Sequence, residues 1–230
     1  MMAHLSGSSA VLLQPEVISE TPEWIAVAKP AGWLSVPGQD PASPPVLAVW
    51  VRSRYPQAFV VHRLDRETSG VILFAQNADA HRQANRWFEK GDIKKQYHFL
   101  ATSPDGRGPA PMMRLNQPIH GQASLTQAEV RENLGPAFYG WARPQTGRRH
   151  QIRIHLARQG HPLLGDPEYG GPREINLRSG ALPIPRVALH AARLELPGGV
   201  AFECPLPDDF AGWLACLRAE RDRSLPGGRP

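Results

Sequence analysis

His62-Arg63-Leu64-Asp65-Arg66-Glu67-Thr68-Ser69-Gly70 runs directly into the apolar Val71-Ile72-Leu73-Phe74-Ala75, and the reading of this stretch decides the rest. A short apolar run bounded by turn residues predicts a buried strand over 70–75, so Thr68-Ser69-Gly70 marks where the backbone dives into the core. Asp65 then lies just ahead of that strand, between two arginines. Neighbouring positive charge favours the ionised form of a carboxylate, and a buried, charge-flanked aspartate is a candidate nucleophile or base. Taken alone, an Arg-x-Asp-Arg run is more often a surface ion-pair network, because structural ion pairs perturb carboxylates in the same way.

Working outward, residues 24–28 predict a short strand that leads into a Pro30-Ala31-Gly32 turn. Val46, Leu47, Trp50, Val51 and Tyr55 recur at helical spacing. After the 70–75 strand, Asn77 predicts a helix N-cap and Gly91 a stop, with Ala80, Ala84, Trp87 and Phe88 on the inner face. Residues 94–101 predict a strand. A loop with Gly106, Gly108, Pro109 and Pro111 separates it from strand-like runs at 124–131 and 137–142. A helix is expected over 151–159, a hairpin over 187–196 and 200–204 that turns at Gly198-Gly199, and a last helix carrying Phe210, Trp213, Leu214 and Leu217. Strands and helices interspersed without repeated βαβ units indicate α+β. The expected organisation is an extension over 1–22, poorly ordered at its start, one catalytic domain over 23–220 and a frayed tail over 221–230.

Two further segments change the weight of Asp65. One is Lys94-Lys95-Gln96-Tyr97-His98-Phe99-Leu100. The other is Thr146-Gly147-Arg148-Arg149-His150-Gln151-Ile152-Arg153-Ile154-His155-Leu156, followed by Gly160-His161-Pro162-Leu163-Leu164-Gly165-Asp166 and Tyr169-Gly170. Together with R-L-D-x-x-T-S-G, and in this order, they resemble the signature set of the RluA-type pseudouridine synthases. Lys29-Pro30-Ala31-Gly32-Trp33-Leu34-Ser35-Val36-Pro37 resembles that family's opening K-P-x-G turn. The resemblance runs from about Trp24 to about Pro205, and four motifs in register make it specific. It implies a mixed, largely antiparallel sheet with flanking helices and a central active-site cleft.

The resemblance also implies roles. Asp65 matches the essential aspartate, which either attacks sugar or base covalently or abstracts a sugar proton. Arg153 matches an arginine that pairs with it and keeps it ionised. Tyr97 matches a tyrosine that packs against uracil and is proposed to help remove the C5 proton, and Arg63 a residue that fills the stack when the base leaves. With Arg63, the residues His62, Lys95, Arg148, Arg149 and His150 are the candidate substrate-binding group. Structured ribosomal or transfer RNA is the implied partner. Isomerising uridine involves no redox change and no group donor, so neither metal nor organic cofactor is expected. In agreement, the chain has no P-loop, dinucleotide fingerprint or Cys/His metal cluster.

Bulk properties agree. The chain has 230 residues and a formal net charge of +5, the positive field expected of a partner rich in phosphate. With only Cys204 and Cys216, it has no disulfide framework, and no apolar stretch approaches the ~20 residues of a membrane span. A cytoplasmic monomer with no membrane partner is therefore expected. Two rivals remain. One is a non-catalytic RNA-binding protein on the same fold. The other is a metallohydrolase built on His150, His155, His161 and Asp166. A zinc helix, however, places its histidines four apart, whereas five positions set His150 and His155 about 140° apart.

Overall fold

The computed structural model describes residues 13–38 and 44–224. Strand β1 (Glu16–Glu20) pairs antiparallel with β2 (Trp24–Lys29). Helix α1 (Leu47–Arg52) and the short β3 (Phe59–Val60) lead to β4 (Ser69–Ala75), every residue of which is buried. Helix α2 (Ala78–Lys90) is capped as its sequence predicts. The Asn77 side chain accepts from the Ala80 N–H, and Gly91 ends the helix in the left-handed conformation.

The second half of the sheet holds β5 (Lys94–Thr102), β6 (Met112–Leu115), β7 (Thr126–Asn133) and β8 (Ala137–Pro144). Helix α3 (Gln151–Arg158) follows, then a separate hairpin of β9 (Glu174–Leu177) and β10 (Gly180–Pro183). Strands β11 (Leu189–Glu195) and β12 (Ala201–Glu203) and helix α4 (Asp208–Ser224) complete the fold.

The sheet order β1-β2-β4-β11-β5-β8-β7-β6 is antiparallel except between β4 and β11. This is the expected α+β architecture with a mixed, largely antiparallel sheet. The parallel contact is short, pairing Ser69 with His190 and Gly70 with Ala191, and it joins the two halves of the molecule. Gly70 is required there. Its φ is +120°, and a Cβ would stand 2.2 Å from the Ala191 carbonyl oxygen, so no other residue fits. The Ser69 hydroxyl and the Cys204 carbonyl engage the two ring nitrogens of buried His190 at 3.0 Å each, which fixes the same junction.

The termini differ from expectation where they are described. Residues 16–20, assigned by sequence to the extension, are an edge strand. Residues 221–224, assigned to a frayed tail, continue α4. Arg221 is held by Glu132 at 3.2 Å and by Asp222, and the Ser224 hydroxyl donates to the Glu220 carbonyl. Residues 1–12 and 225–230, the other parts of those two segments, lie outside the described residues. Hairpin β9–β10 is not among the expected elements, since its apolar alternation, Ile175 and Leu177 between polar residues, runs over only four positions.

Candidate active site

Asp65 lies on an irregular loop ahead of β4, and the opening turn of the chain holds that loop in place. Lys29 is almost wholly buried. Its ammonium donates to the carbonyls of Pro30 at 3.0 Å, Trp33 at 2.8 Å and Arg66 at 3.0 Å. Burial pushes Lys29 down to about 7, yet three carbonyl acceptors call for three N–H donors, which only the charged form supplies. Ser35 adds a reciprocal pair, donating to the Leu64 carbonyl at 2.7 Å and accepting from the Leu64 N–H at 2.9 Å. The K-P-A-G-W-L-S segment is thus a clamp on residues 64–66, a role that its sequence alone did not disclose.

A cavity of about 390 Å³ opens beside Asp65. Tyr97 and Lys95 line it from β5, Arg153, Gln151 and His150 from the start of α3, and His62, Arg63 and Arg148 from loops. The three candidate catalytic residues therefore share one cavity, as do all the candidate binding residues except Arg149, which faces a neighbouring cavity. Burial sets the charge states on this side. It lowers His62 to about 3, helped by Lys95. Neutral His62 accepts the Leu73 N–H at 2.9 Å and lies against Phe88. Lys95, donating to the Thr146 carbonyl, is lowered to about 8. Burial and then the charge of Asp65 raise the Tyr97 phenol far above its ordinary range, so it stays protonated.

The cations around Asp65 are not those the flanking sequence suggests. Arg66 pairs with Glu67 at 2.7 Å, and Arg63 is exposed. Arg153 approaches Asp65 instead, at 3.9 Å, with His150 at 3.7 Å. Arg153 is not dedicated to Asp65 either. It donates two 2.7 Å hydrogen bonds to fully buried Asp166 and a third, of 2.9 Å, to Glu168. Its guanidinium also lies 4.9 Å from the centre of the Tyr169 ring. A bidentate, buried pair of this kind fixes orientation as well as charge. Asp166, Glu168 and Tyr169 thus form the support of Arg153. The G-D-P-E-Y-G spacing was the available signal, because the short turn at Pro167–Tyr169 brings all three side chains to one guanidinium.

Gln151 anchors the Thr146–His150 loop to the sheet. Its amide accepts from the Thr146 hydroxyl and the Arg148 N–H, and donates to the Leu125 carbonyl and Thr126. His150 then adopts φ +55°, uncommon for a residue with a side chain. Its ring shares a 3.0 Å hydrogen bond with the Tyr169 hydroxyl. The ligand set of the metallohydrolase rival does not converge. His155 is a satisfied core histidine between Thr126, Ser124 and the Gln117 carbonyl, His161 bonds the Thr102 carbonyl, and Asp166 is engaged by Arg153. Among the described residues no helix is long and apolar enough to cross a membrane.

Residues 23–158 match the family model described as RNA pseudouridylate synthase. The chain belongs to that family. Family and fold are those the sequence motifs implied. Among curated relatives, the Ribosomal large subunit pseudouridine synthase D of Nitrosomonas europaea is 31% identical, over 88% of this chain and 65% of that protein. The chain thus spans just under two thirds of that relative. The Dual-specificity RNA pseudouridine synthase RluA of Salmonella typhi is 36% identical, over 81% of this chain and 90% of the relative. Two solved human structures share the fold. RNA Pseudouridylate Synthase Domain Containing 4 superposes with TM-score 0.69 at 22% identity, covering 88% of this chain and 92% of that one. Domain Containing 1 gives 0.66 at 25%, covering 90% and 95%.

Proposed function

We propose that this protein isomerises uridine to pseudouridine in structured ribosomal or transfer RNA, with Asp65 as the essential group. The observation that carries the reading is the single cavity in which Asp65, Tyr97 and Arg153 meet, rimmed by basic residues. The C1′–N1 bond of uridine breaks, uracil turns, and C1′ bonds to C5, which loses its proton while N1 gains one. The sum is neutral in atoms and electrons, and this reading includes no cofactor. Asp65 either attacks covalently or removes a sugar proton, and each route requires the carboxylate anion.

The target base has to leave its stack to reach Asp65, at a cost of roughly a few kcal/mol. Tyr97 and the apolar wall formed by Ile152 and Leu189 offer it a new stacking surface. Tyr97 enters as a neutral phenol, so it packs against the uracil and takes up the C5 proton only if its own proton leaves in the same step. Arg63 stands at the mouth, where a guanidinium plane stacks on bases. Arg153 holds negative charge at Asp65, and Asp166 orients Arg153. In this reading the protein acts on RNA in the cytoplasm as a monomer. The relatives' names, which cover ribosomal RNA, transfer RNA and dual specificity, support both RNA classes.

The test is tritium release from RNA carrying 5-tritiated uridine. Asp65→Asn is expected to abolish release while RNA affinity stays within about tenfold, because affinity is spread over many phosphate contacts. Substantial turnover by Asp65→Asn would overturn the assignment.

A further inference from the structure

Asp65, His150 and Arg153 also line a second cavity, of about 590 Å³, which Tyr97 does not line. Its character is different. Arg66, Arg149 and Arg173 open on it and are exposed, and Arg186 closes its floor. Most of these guanidiniums are already engaged. Arg186 holds Asp209 at 2.6 and 2.7 Å, Arg66 holds Glu67, and Arg153 holds Asp166. Arg149 and Arg173 have no carboxylate partner among the described residues. Glu168 lines the same cavity. Its carboxylate is half exposed and lies 2.9 Å from Arg153 and 3.3 Å from His150. A half-exposed carboxylate held by a buried guanidinium, in a cavity that two unpaired guanidiniums also line, sits where an external anion would be favoured.

We propose that this second cavity is a phosphodiester subsite. The RNA backbone phosphate next to the flipped uridine enters it, binds Arg149 and Arg173, and displaces Glu168 from Arg153. The inference rests on the RNA reading above and deepens it. A nucleotide whose base lies in the Tyr97 cavity with its ribose at Asp65 has its phosphate at the shared wall, and this is the cation-rich exit from that wall. Glu168 fills the anion position while RNA is absent, so Arg153 is never left bare. Once Glu168 is displaced, Arg153 keeps Asp166 and Asp65 as anionic protein neighbours and the phosphate takes the place of the third.

The probe is a fluorescent dodecamer of oligouridylate, with affinity measured by anisotropy at several KCl concentrations. For single strands the salt slope is about 0.7 per phosphate contact, so losing one contact lowers affinity about fivefold at 0.1 M salt. Arg149→Ala and Arg173→Ala should each show that loss together with the shallower slope. Arg173→Lys should keep most of the affinity, and Arg221→Ala, whose charge is already paired with Glu132 and Asp222, should match wild type. Glu168→Gln should bind about threefold tighter or more, since a competing anion is removed. Thermal melts of each variant separate lost binding from lost folding. If either exposed arginine can be removed with affinity and slope unchanged, or if Glu168→Gln binds no tighter, the subsite is wrong. Binding is read without turnover. Failure here with wild-type tritium release intact leaves the isomerase reading standing, while turnover by Asp65→Asn overturns that reading whatever the salt slopes show.

Discussion

The two cavities that meet at Asp65 differ in what their surroundings do to charge. On the Tyr97 side, burial drives titratable groups toward neutrality. His62 falls to about 3, Lys95 falls to about 8, and the Tyr97 phenol is pushed far up. On the arginine side, exposed guanidiniums keep their charge at every accessible pH. One side is suited to a flat, uncharged base and the other to a charged backbone. A cationic protein can in this way grip a polyanion without crowding charge around a neutral base. The division lies along Arg153, which touches both sides and is itself fixed by Asp166.

The largest expected effect comes from breaking that shared wall. Arg153→Met leaves Asp166 buried without a partner, a loss of roughly 3–5 kcal/mol. If even 3 kcal/mol of it falls on the transition state, the rate drops more than a hundredfold. Arg153→Lys should recover only part, because an ammonium cannot reproduce the two-pronged contact. Single-turnover kinetics of both variants beside Arg221→Met measures this. Near-equal rates for Arg153→Met and Arg221→Met would show that the wall carries no function.

Next in size is an acid instability that arises from imidazoles which burial holds neutral. His62 sits at about 3, and His98 and His190 at about 4, against an ordinary 6.5, in each case chiefly through burial. In the unfolded chain these rings take up protons below pH 6.5, whereas the folded rings do not until pH 4 or lower. Their stabilisation is therefore complete above 6.5 and is lost as pH falls toward 4. Each ring contributes up to about 1.4 kcal/mol per pH unit within that window. Urea unfolding at pH 7.5, 6 and 5 should show the decline, and His98→Gln should flatten it by one ring's share. An unchanged pH slope in His98→Gln would mean that its imidazole is charged in the fold.

A smaller effect separates the cavities by titration. Lys95 loses its charge as pH passes about 8, so its contribution to RNA affinity should fade between pH 7 and 9, while that of Arg173 should not. The expected change is a few-fold, about one phosphate contact. It should vanish in Lys95→Arg, as read from oligouridylate affinity against pH. The smallest change is Tyr169→Phe, which removes the hydrogen bond to His150. It should cost about 1 kcal/mol of stability, and a loss of several kcal/mol would mean that the left-handed turn at His150 depends on it.

Much of this was legible in the sequence because it is local. The apolar run 71–75 yields buried β4, Asn77 and Gly91 bound α2, and Gly198-Gly199 turns the last hairpin, since period and turn chemistry act over a few residues. The motif set likewise marked Asp65, Tyr97 and Arg153 as one group. The support of that group was harder to read. Asp166 appeared as a motif residue without a role and in a metal site that does not form, and Lys29 only as part of a turn. Hairpin β9–β10 and the edge strand β1 went unread because each strand is only four or five residues long, too short for its apolar pattern to stand out.

Most of the elements, the family and the main residues of the cavity follow from the order of residues alone, because hydrophobic patterning and turn residues act locally and the motifs name their own members. Only the tertiary structure decided which charges face one another. The arginines beside Asp65 in the chain turn to Glu67 and to solvent, while Arg153 arrives from α3, carried across the parallel β4–β11 junction that Gly70 permits. Ion pairing in a low-dielectric site depends on distances of a few Å. Those distances are set by how distant strands pack, and neighbours in sequence do not fix them.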